Sequence, residues 1–155
     1  MNLLIPLLGK TRERYLAQGI TDYSTRLRRY LSVEMPVLKE RTAHSAPPQE
    51  VIATGSAILL ERAAAADYLV ALDLRGTMMG SEELAKMLKD LEERGVQQLC
   101  FLIGGHLGLS SAVLQRANFC LSLSPMTFTH ELSRLLLLEQ LYRACSITAG
   151  HKYHR

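Results

Sequence analysis

Two short, uninterrupted apolar runs constrain the fold of this 155-residue chain more than any other feature. The first is Tyr68–Leu72 (YLVAL) and the second is Leu99–Ile103 (LCFLI). A strand without polar positions must be covered on both faces, as in parallel sheets. Helical patterns alternate with such runs along the chain, which is typical of an α/β domain. We therefore expect one domain over residues 1–155, with a mostly parallel sheet and helices on both faces.

Other local signals predict the remaining elements. We expect Asn2–Leu8 to form a buried strand and Val33–Lys39 an edge strand interrupted by a proline. The helix between them is expected to run from an N-cap at Thr11 to about Leu31. Pro48 suits the first turn of the next helix. Later helices are expected to begin at Ser81, at Ser110 or Ser111, and at His130 with Thr129 as N-cap.

Three predicted loops follow the carboxyl ends of the central strands: Leu72–Gly76, Gly104–Gly108 and Ser122–Thr129. Ligands of open parallel sheets bind outside these strand ends, so we expect a site where the three loops meet. Glycines let the backbone approach a ligand closely, although a tight structural turn explains them equally well. Their spacing is neither the dinucleotide motif GxGxxG nor the phosphate-binding motif GxxxxGK[ST].

Four consecutive leucines, Leu135–Leu138, make the last helix unusual. At about 100° per residue they cover every side of a helix, so more than one side must be covered. In a chain of this length we expect the second cover to be another subunit. Lone buried charges are costly, so Arg134, Glu139 and Arg143 are expected at the edge of the helix. Glu139 and Arg143 have the spacing of a favourable helical ion pair.

The net charge of +3 is too small to require a nucleic-acid partner. The densest basic cluster is Arg26, Arg28 and Arg29, at the expected end of the first long helix. Cations suit that end of a helix, so a solvated helix end is one reading of the cluster. A contact with nucleic-acid phosphates is the other.

The cysteines and histidines indicate neither a disulfide scaffold nor a metal site. Three cysteines without CxxC spacing are expected to be reduced thiols in a cytoplasmic protein. His151 and His154 lie three residues apart but lack a carboxylate or cysteine at metal spacing, so we expect no metal.

No apolar run approaches the roughly 20 residues that span a bilayer, and the first residues do not resemble a secretion signal.

Three long segments resemble one known family. They are FLIGGHLGLS at Phe101–Ser110, LSLSPMTFTHELSR at Leu121–Arg134 and EQLYRACSITAGHKYHR at Glu139–Arg155, and Gly9–Leu27 is similar too. On these residues the chain resembles the RlmH (YbeA-like) branch of the SPOUT methyltransferases. The resemblance implies a homodimer with a C-terminal trefoil knot. It also implies an enzyme that uses S-adenosyl-L-methionine to methylate N3 of a pseudouridine in 23S ribosomal RNA, on the assembled ribosome.

By position, the resemblance implies a cofactor pocket in the same three loops that the strand ends predict. Its residues would be Leu72, Gly104, Leu123, Ser124, Pro125, Met126, Thr127 and Phe128. It also implies catalytic residues near the end of the chain: Arg143, Tyr153, His154 and Arg155. We expect His154 to be the general base for the N3 proton, and Arg143 or Arg155 to stabilise the resulting charge. The tail would reach the pocket of the partner subunit.

Some features of the resemblance leave alternatives open. Thr129 and Lys152 stand where the family usually has proline, and the pair His106-Leu107 is more often small or acidic. Lys10 and the basic cluster are candidates for contacts with the ribosomal RNA backbone. One alternative function is a non-catalytic, ribosome-associated RNA-binding factor. Another is a methyltransferase for a different RNA.

Overall fold

The computed structural model describes residues 1–154, the last of them by its backbone. Its strands are β1 (Asn2–Leu4), β2 (Leu7–Leu8), β3 (Ser32–Glu34), β4 (Val37–Leu38), β5 (Tyr68–Met78), β6 (Gln98–Leu102) and β7 (Phe119–Ser122). Its helices are α1 (Arg14–Leu27), α2 (Pro48–Arg62), α3 (Ser81–Glu93), α4 (Ser111–Arg116) and α5 (His130–Thr148), followed by a 3-10 turn at Lys152–His154. The main sheet has the order β3-β1-β6-β5-β7, and all pairings between these strands are parallel. A smaller sheet pairs β2 with β4.

Both faces of the main sheet are covered by helices. Side chains alternate across a strand, and in β6 this alternation separates two cores. Leu99 and Phe101 pack in the core formed with α1, α3 and α5, whereas Cys100 and Leu102 pack in the core formed with α2 and α4. All four side chains are fully buried. The parallel sheet with helices on both faces, predicted from the apolar runs, is confirmed.

The prediction of one strand over Asn2–Leu8 was wrong at Pro6. Proline has no amide hydrogen for a sheet ladder, and the chain passes here from the main sheet to the smaller one. The amide of Ile5 donates to the carbonyl of Glu34 (2.8 Å), and that of Leu7 donates to the carbonyl of Pro36 (2.9 Å). These two hydrogen bonds keep the first segment beside β3 and β4 through the crossing.

The predicted N-cap at Thr11 was also wrong. Helix α1 begins at Arg14 with Glu13 in the cap position, and it ends at Leu27. The hydroxyl of Thr11 instead accepts a hydrogen bond from the guanidinium of Arg134 in α5 (3.0 Å). A tertiary contact has therefore replaced the local cap that the sequence suggested.

Strand β5 contains a bulge at the predicted Leu72–Gly76 loop. Leu121 of β7 pairs with Leu72 before the bulge and with Thr77 after it. The residues between them leave the ladder, and their backbone returns close to β7 at Gly76. A Cβ on Gly76 would lie 2.6 Å from the carbonyl oxygen of Cys120, so only glycine fits this close approach.

Helix α5 packs against both α1 and α3. Leu137 and Leu138 are fully buried, Leu135 packs partly buried against the same core, and Leu132 and Leu136 are partly exposed. The leucine run therefore has two buried members and a side that remains partly open in the single chain.

None of the helices in the described part of the chain is long and apolar enough to cross a membrane.

Arg134 is buried, which corrects the expectation that it would lie at the helix edge. Its side chain is 2 % exposed, and it donates to the carbonyl of Leu8 (2.6 Å) as well as to Thr11. Its Nε atom has no hydrogen-bond partner. Burial lowers the pKa of this guanidinium. Hydrogen bonds to neutral oxygens thus hold a buried cation where β2 ends beside α5.

Candidate active site

A cleft of about 950 Å³ lies beside the bulge of β5 and the carboxyl ends of β6 and β7. The three predicted loops all contribute to its wall, as the rule for parallel sheets leads one to expect. Seven of the eight expected cofactor residues line it: Leu72, Gly104, Leu123, Ser124, Met126, Thr127 and Phe128. Pro125 is exposed and is not part of the lining. The sequence thus located the cleft correctly, while the role of each residue remains a prediction.

The glycine loop closes into a tight turn at Gly104–Gly108. The amide of Gly108 donates to the carbonyl of Gly105 (3.0 Å). A Cβ on Gly104 would lie 2.4 Å from the carbonyl carbon of Gly108 and 2.6 Å from its oxygen. The turn can therefore close only if residue 104 has no side chain. This fold-back leaves buried backbone, rather than a side chain, at this point of the cleft wall.

The serine-rich loop between β7 and α5 is held by its own hydroxyl groups. The hydroxyl of Ser122 donates to the carbonyl of Ser124 (3.0 Å), and the hydroxyl of Ser124 accepts from the amide of Met126 (3.0 Å). The Thr129 hydroxyl accepts from the amide of Leu132 (3.2 Å), which confirms it as the N-cap of α5. Side-chain bonds to nearby backbone groups fix turns of this kind.

The starts of α1 and α5 add titratable groups to the cleft that were not predicted there from the sequence. His130, Glu131 and Glu13 line it together with Tyr15, whose side chain is 68 % exposed. Burial lowers the pKa of His130, and the charge of nearby Arg134 lowers it further. The neutral imidazole is therefore favoured at this position. Within residues 1–154, no group of three or more His, Cys, Asp or Glu side chains could hold a metal ion.

Two of the expected catalytic residues, Arg143 and Tyr153, lie in a second cluster near the other end of α5. The Arg143 guanidinium contacts the Glu139 carboxylate at 2.6 Å, which confirms the predicted ion pair. The Tyr153 hydroxyl lies 3.3 Å from the same carboxylate and 2.9 Å from the hydroxyl of Tyr23. Burial, followed by the hydrogen bond with Tyr23, raises the pKa of Tyr153. Arg155 and the side chain of His154 fall outside what the structure describes.

One chain does not bring the cleft and this second cluster together. His130 begins α5 and Arg143 lies near its other end, roughly 20 Å away along the axis at ~1.5 Å per residue. Among the described residues, neither Arg143 nor Tyr153 lines the cleft. A single molecule therefore presents two separate halves of the predicted site.

The predicted basic residues are not one continuous patch. Lys10 precedes α1, whereas Arg26, Arg28 and Arg29 lie at its far end, roughly 20 Å away along a 14-residue helix. Arg28 and Arg29 are exposed. Arg26 is paired with Asp22 (2.9 Å) and lies over the ring of Tyr23. The positive charge of Arg26 is therefore partly neutralised by Asp22.

Comparison with known proteins gives full-length matches. Residues 1–154 match the family described as predicted SPOUT methyltransferase. Proteins named ribosomal RNA large subunit methyltransferase H are similar over the whole length. That of Desulfotalea psychrophila is 44% identical over 97% of both chains. That of Clostridium novyi is 44% identical over 100% of both.

Two solved structures have a similar fold at low sequence identity. A probable methylase family protein from Haemophilus influenzae superposes with a TM-score of 0.59 at 9% identity, covering 99% of this chain and 70% of that one. A probable methyltransferase from Bordetella pertussis gives a TM-score of 0.58 at 14% identity, covering 93% and 95%. Identities this low support the likeness of fold alone.

Proposed function

The chain belongs to the SPOUT methyltransferase family, and we propose that it uses S-adenosyl-L-methionine to methylate N3 of a pseudouridine in 23S ribosomal RNA of the assembled ribosome. The 44%-identical relatives named for large-subunit ribosomal RNA support the substrate class. The observation that carries the proposal is the cleft. It lies at the strand ends, and seven residues that the family resemblance selects line it.

The cleft has features that fit the cofactor. Its volume of about 950 Å³ falls within the roughly 300–1,000 Å³ of small-molecule sites. Leu72, Leu123 and Phe128 offer apolar walls for a purine ring, and the closed turn at Gly104 places buried backbone in the wall of the cleft. Ser124 and Thr127 offer hydroxyl groups for the polar parts. These residues would hold S-adenosyl-L-methionine, which supplies an electrophilic methyl group.

A homodimer would join the two halves of the site. If two copies of α5 pack antiparallel through their partly open sides, the tail end of one helix meets the cleft end of the other. The roughly 20 Å between the halves along α5 is spanned in this way without any change of fold. Isologous pairs of this kind are the commonest homo-oligomers. Arg143 and the tail would then act on the partner's cofactor, and the enzyme would require its dimer.

The proposed chemistry begins with the weakly acidic N3–H of the base. His154 takes the N3 proton as general base, a role typically worth about 10² to 10⁴-fold in rate. The negative charge that spreads to the carbonyl oxygens of the base is stabilised by Arg143 or Arg155. S-adenosyl-L-methionine held by the cleft residues would supply the methyl group that N3 receives, and S-adenosyl-L-homocysteine would leave. Replacing His154 by alanine should abolish most of the methyl transfer while leaving cofactor binding intact.

The first test is transfer of labelled methyl groups to ribosomes that lack the modification, with free 23S ribosomal RNA in parallel. We expect incorporation on assembled ribosomes, mapped to one pseudouridine. Incorporation on free RNA alone would contradict the substrate proposed. No incorporation on either substrate, with cofactor binding intact, would favour a binding role or a different RNA.

Co-expression of two impaired variants, assayed at a cofactor concentration well below the Kd of Gly104→Ala, tests the shared site. His154→Ala removes the base from the tail, and Gly104→Ala distorts the cleft. Random association makes half of the dimers mixed, and each mixed dimer has one undamaged site. About a quarter of wild-type activity should therefore return. No recovery would contradict a tail that acts on the partner's cleft.

A further inference from the structure

The carboxylate of Glu139 binds both Arg143 and Tyr153, the two proposed catalytic residues whose side chains the structure describes. Oε1 of Glu139 accepts hydrogen bonds from Nη2 and Nε of Arg143, at 2.6 and 3.1 Å. The same oxygen accepts from the hydroxyl of Tyr153 at 3.3 Å. The Glu139 side chain is 18% exposed, so solvent competes only weakly for it. Its geometry therefore fixes an arginine of α5 and a tyrosine of the 3-10 turn relative to one another.

The carboxylate is itself held from a neighbouring helix. Oε2 of Glu139 accepts from the amide group of Gln140 at 2.6 Å. The amide oxygen of Gln140 accepts from the hydroxyl of Ser81, which begins α3, at 2.5 Å. Both oxygens of Glu139 are therefore engaged, and the carboxylate cannot rotate without breaking bonds on both sides.

Helix α1 closes the cluster around Tyr153. The Tyr23 hydroxyl lies 2.9 Å from that of Tyr153. The Tyr142 ring meets the Tyr153 ring edge-on at 4.6 Å, and the Arg143 guanidinium lies 4.9 Å from its centre. A tyrosine hydroxyl is protonated at neutral pH, and burial raises the pKa of Tyr153 further. It can therefore remain a donor to Glu139 while it accepts from Tyr23.

We propose that Glu139 and Tyr23 are positioning residues that hold Arg143 and Tyr153 in the orientation each subunit presents to its partner's cleft. A surface ion pair would contribute only about 0–1 kcal/mol and would need none of these additional bonds. The carboxylate instead binds residues of α5 and of the 3-10 turn directly, and it is linked to α3 through Gln140 and to α1 through Tyr153. This inference rests on the proposed function, since it assigns the network a role in methyl transfer.

The test compares Glu139→Ala, Glu139→Gln and Tyr23→Phe in methyl transfer to ribosomes, with kcat, KM and the cofactor Kd measured for each. Tyr68→Phe is the matched control, because Tyr68 begins β5 at the opposite end from the cleft. A misplacement of about 1 Å can cost around 10²-fold, so Glu139→Ala should lower kcat to that extent. Glu139→Gln keeps an acceptor for Arg143 and should recover part of the loss.

Tyr23→Phe removes one hydroxyl group and should lower kcat about three- to tenfold, the range of one hydrogen bond. The cofactor Kd of Glu139→Gln and Tyr23→Phe should stay at the wild-type value, and their melting temperatures should fall by no more than a few degrees. Wild-type kcat in Glu139→Ala and Tyr23→Phe would overturn the inference, as would losses seen only in cofactor affinity. An inactive wild-type protein would contradict the proposed function instead, so the two failures are distinguishable.

Discussion

Replacing Gly104 by alanine tests whether the glycine turn shapes the cleft. The new Cβ would lie 2.4, 2.6 and 2.8 Å from three backbone atoms of Gly108. Backbone atoms of a closed turn cannot move aside as the end of a flexible side chain can. The residue 104–108 turn must therefore open, and overpacking of this kind typically costs about 1–3 kcal/mol. For a chain of this length, that corresponds to a melting temperature lower by roughly 3–9 °C.

The same displacement should weaken cofactor binding, because Gly104 and Gly108 both line the cleft. The part of this cost that is paid only when the turn closes around the cofactor lowers affinity, by at most about 5- to 150-fold for the full 1–3 kcal/mol. Calorimetric titration with S-adenosylhomocysteine, the demethylated product, would measure the Kd. Differential scanning calorimetry would measure the melting temperature. Both changes should appear together, since they have one cause.

The neighbouring Gly105→Ala is the matched control. A Cβ at Gly105 would meet only the side-chain carboxylate of Glu40, at an ordinary 3.5 Å. This variant carries the same added methyl group in the same loop and should keep its Kd and melting temperature near the wild-type values. Equal behaviour of the Gly104→Ala and Gly105→Ala variants would refute the argument from the close approach to Gly108.

Two further predictions concern the start of α5. Arg134→Met leaves the Leu8 carbonyl without its donor and should destabilise the fold by about 1–3 kcal/mol in urea unfolding. Unchanged stability would mean that removal of the buried positive charge offsets the loss of this hydrogen bond. The lowered pKa of His130 favours its neutral imidazole in the folded protein. The contribution of this residue to the unfolding free energy is therefore present above the ordinary histidine pKa near 6.5. It is lost as the pH falls through the lowered pKa of the folded state. His130→Gln should therefore flatten the pH dependence of the unfolding free energy below about pH 6.5.

The interior of the fold could be predicted because its signals are local. Each apolar run in β5 and β6 is long enough to show that both of its faces are covered, and a parallel sheet with two layers of helices follows. The rule for strand ends then places the cleft. Both steps need only the order of the elements and the character of their residues.

Two of the errors, at Thr11 and Arg134, arose where distant parts of the chain meet. Thr11 resembles a helix cap, but its hydroxyl binds Arg134, far away in the sequence. Arg134 appeared too costly to bury, yet the Leu8 carbonyl and Thr11 supply its hydrogen bonds. Neither partner can be recognised from local pattern. Glu13 and Tyr15 joined the cleft for the same reason, since only tertiary packing brings the start of α1 beside α5.

The strand order also determines when each edge of β1 can pair during synthesis of the chain. Strand β1 is made first, and one of its edges can pair with β3 soon afterwards, but its other edge pairs with β6, about 96 residues later in the chain. At synthesis rates of roughly 5–20 residues per second, about 5–20 s pass before β6 has been made and can pair with that edge of β1. Leu3 and Leu4, fully buried in the finished protein, are without their final cover for this time. Non-local pairing of this kind also slows folding, and this edge of β1 has no partner strand until β6 has been made.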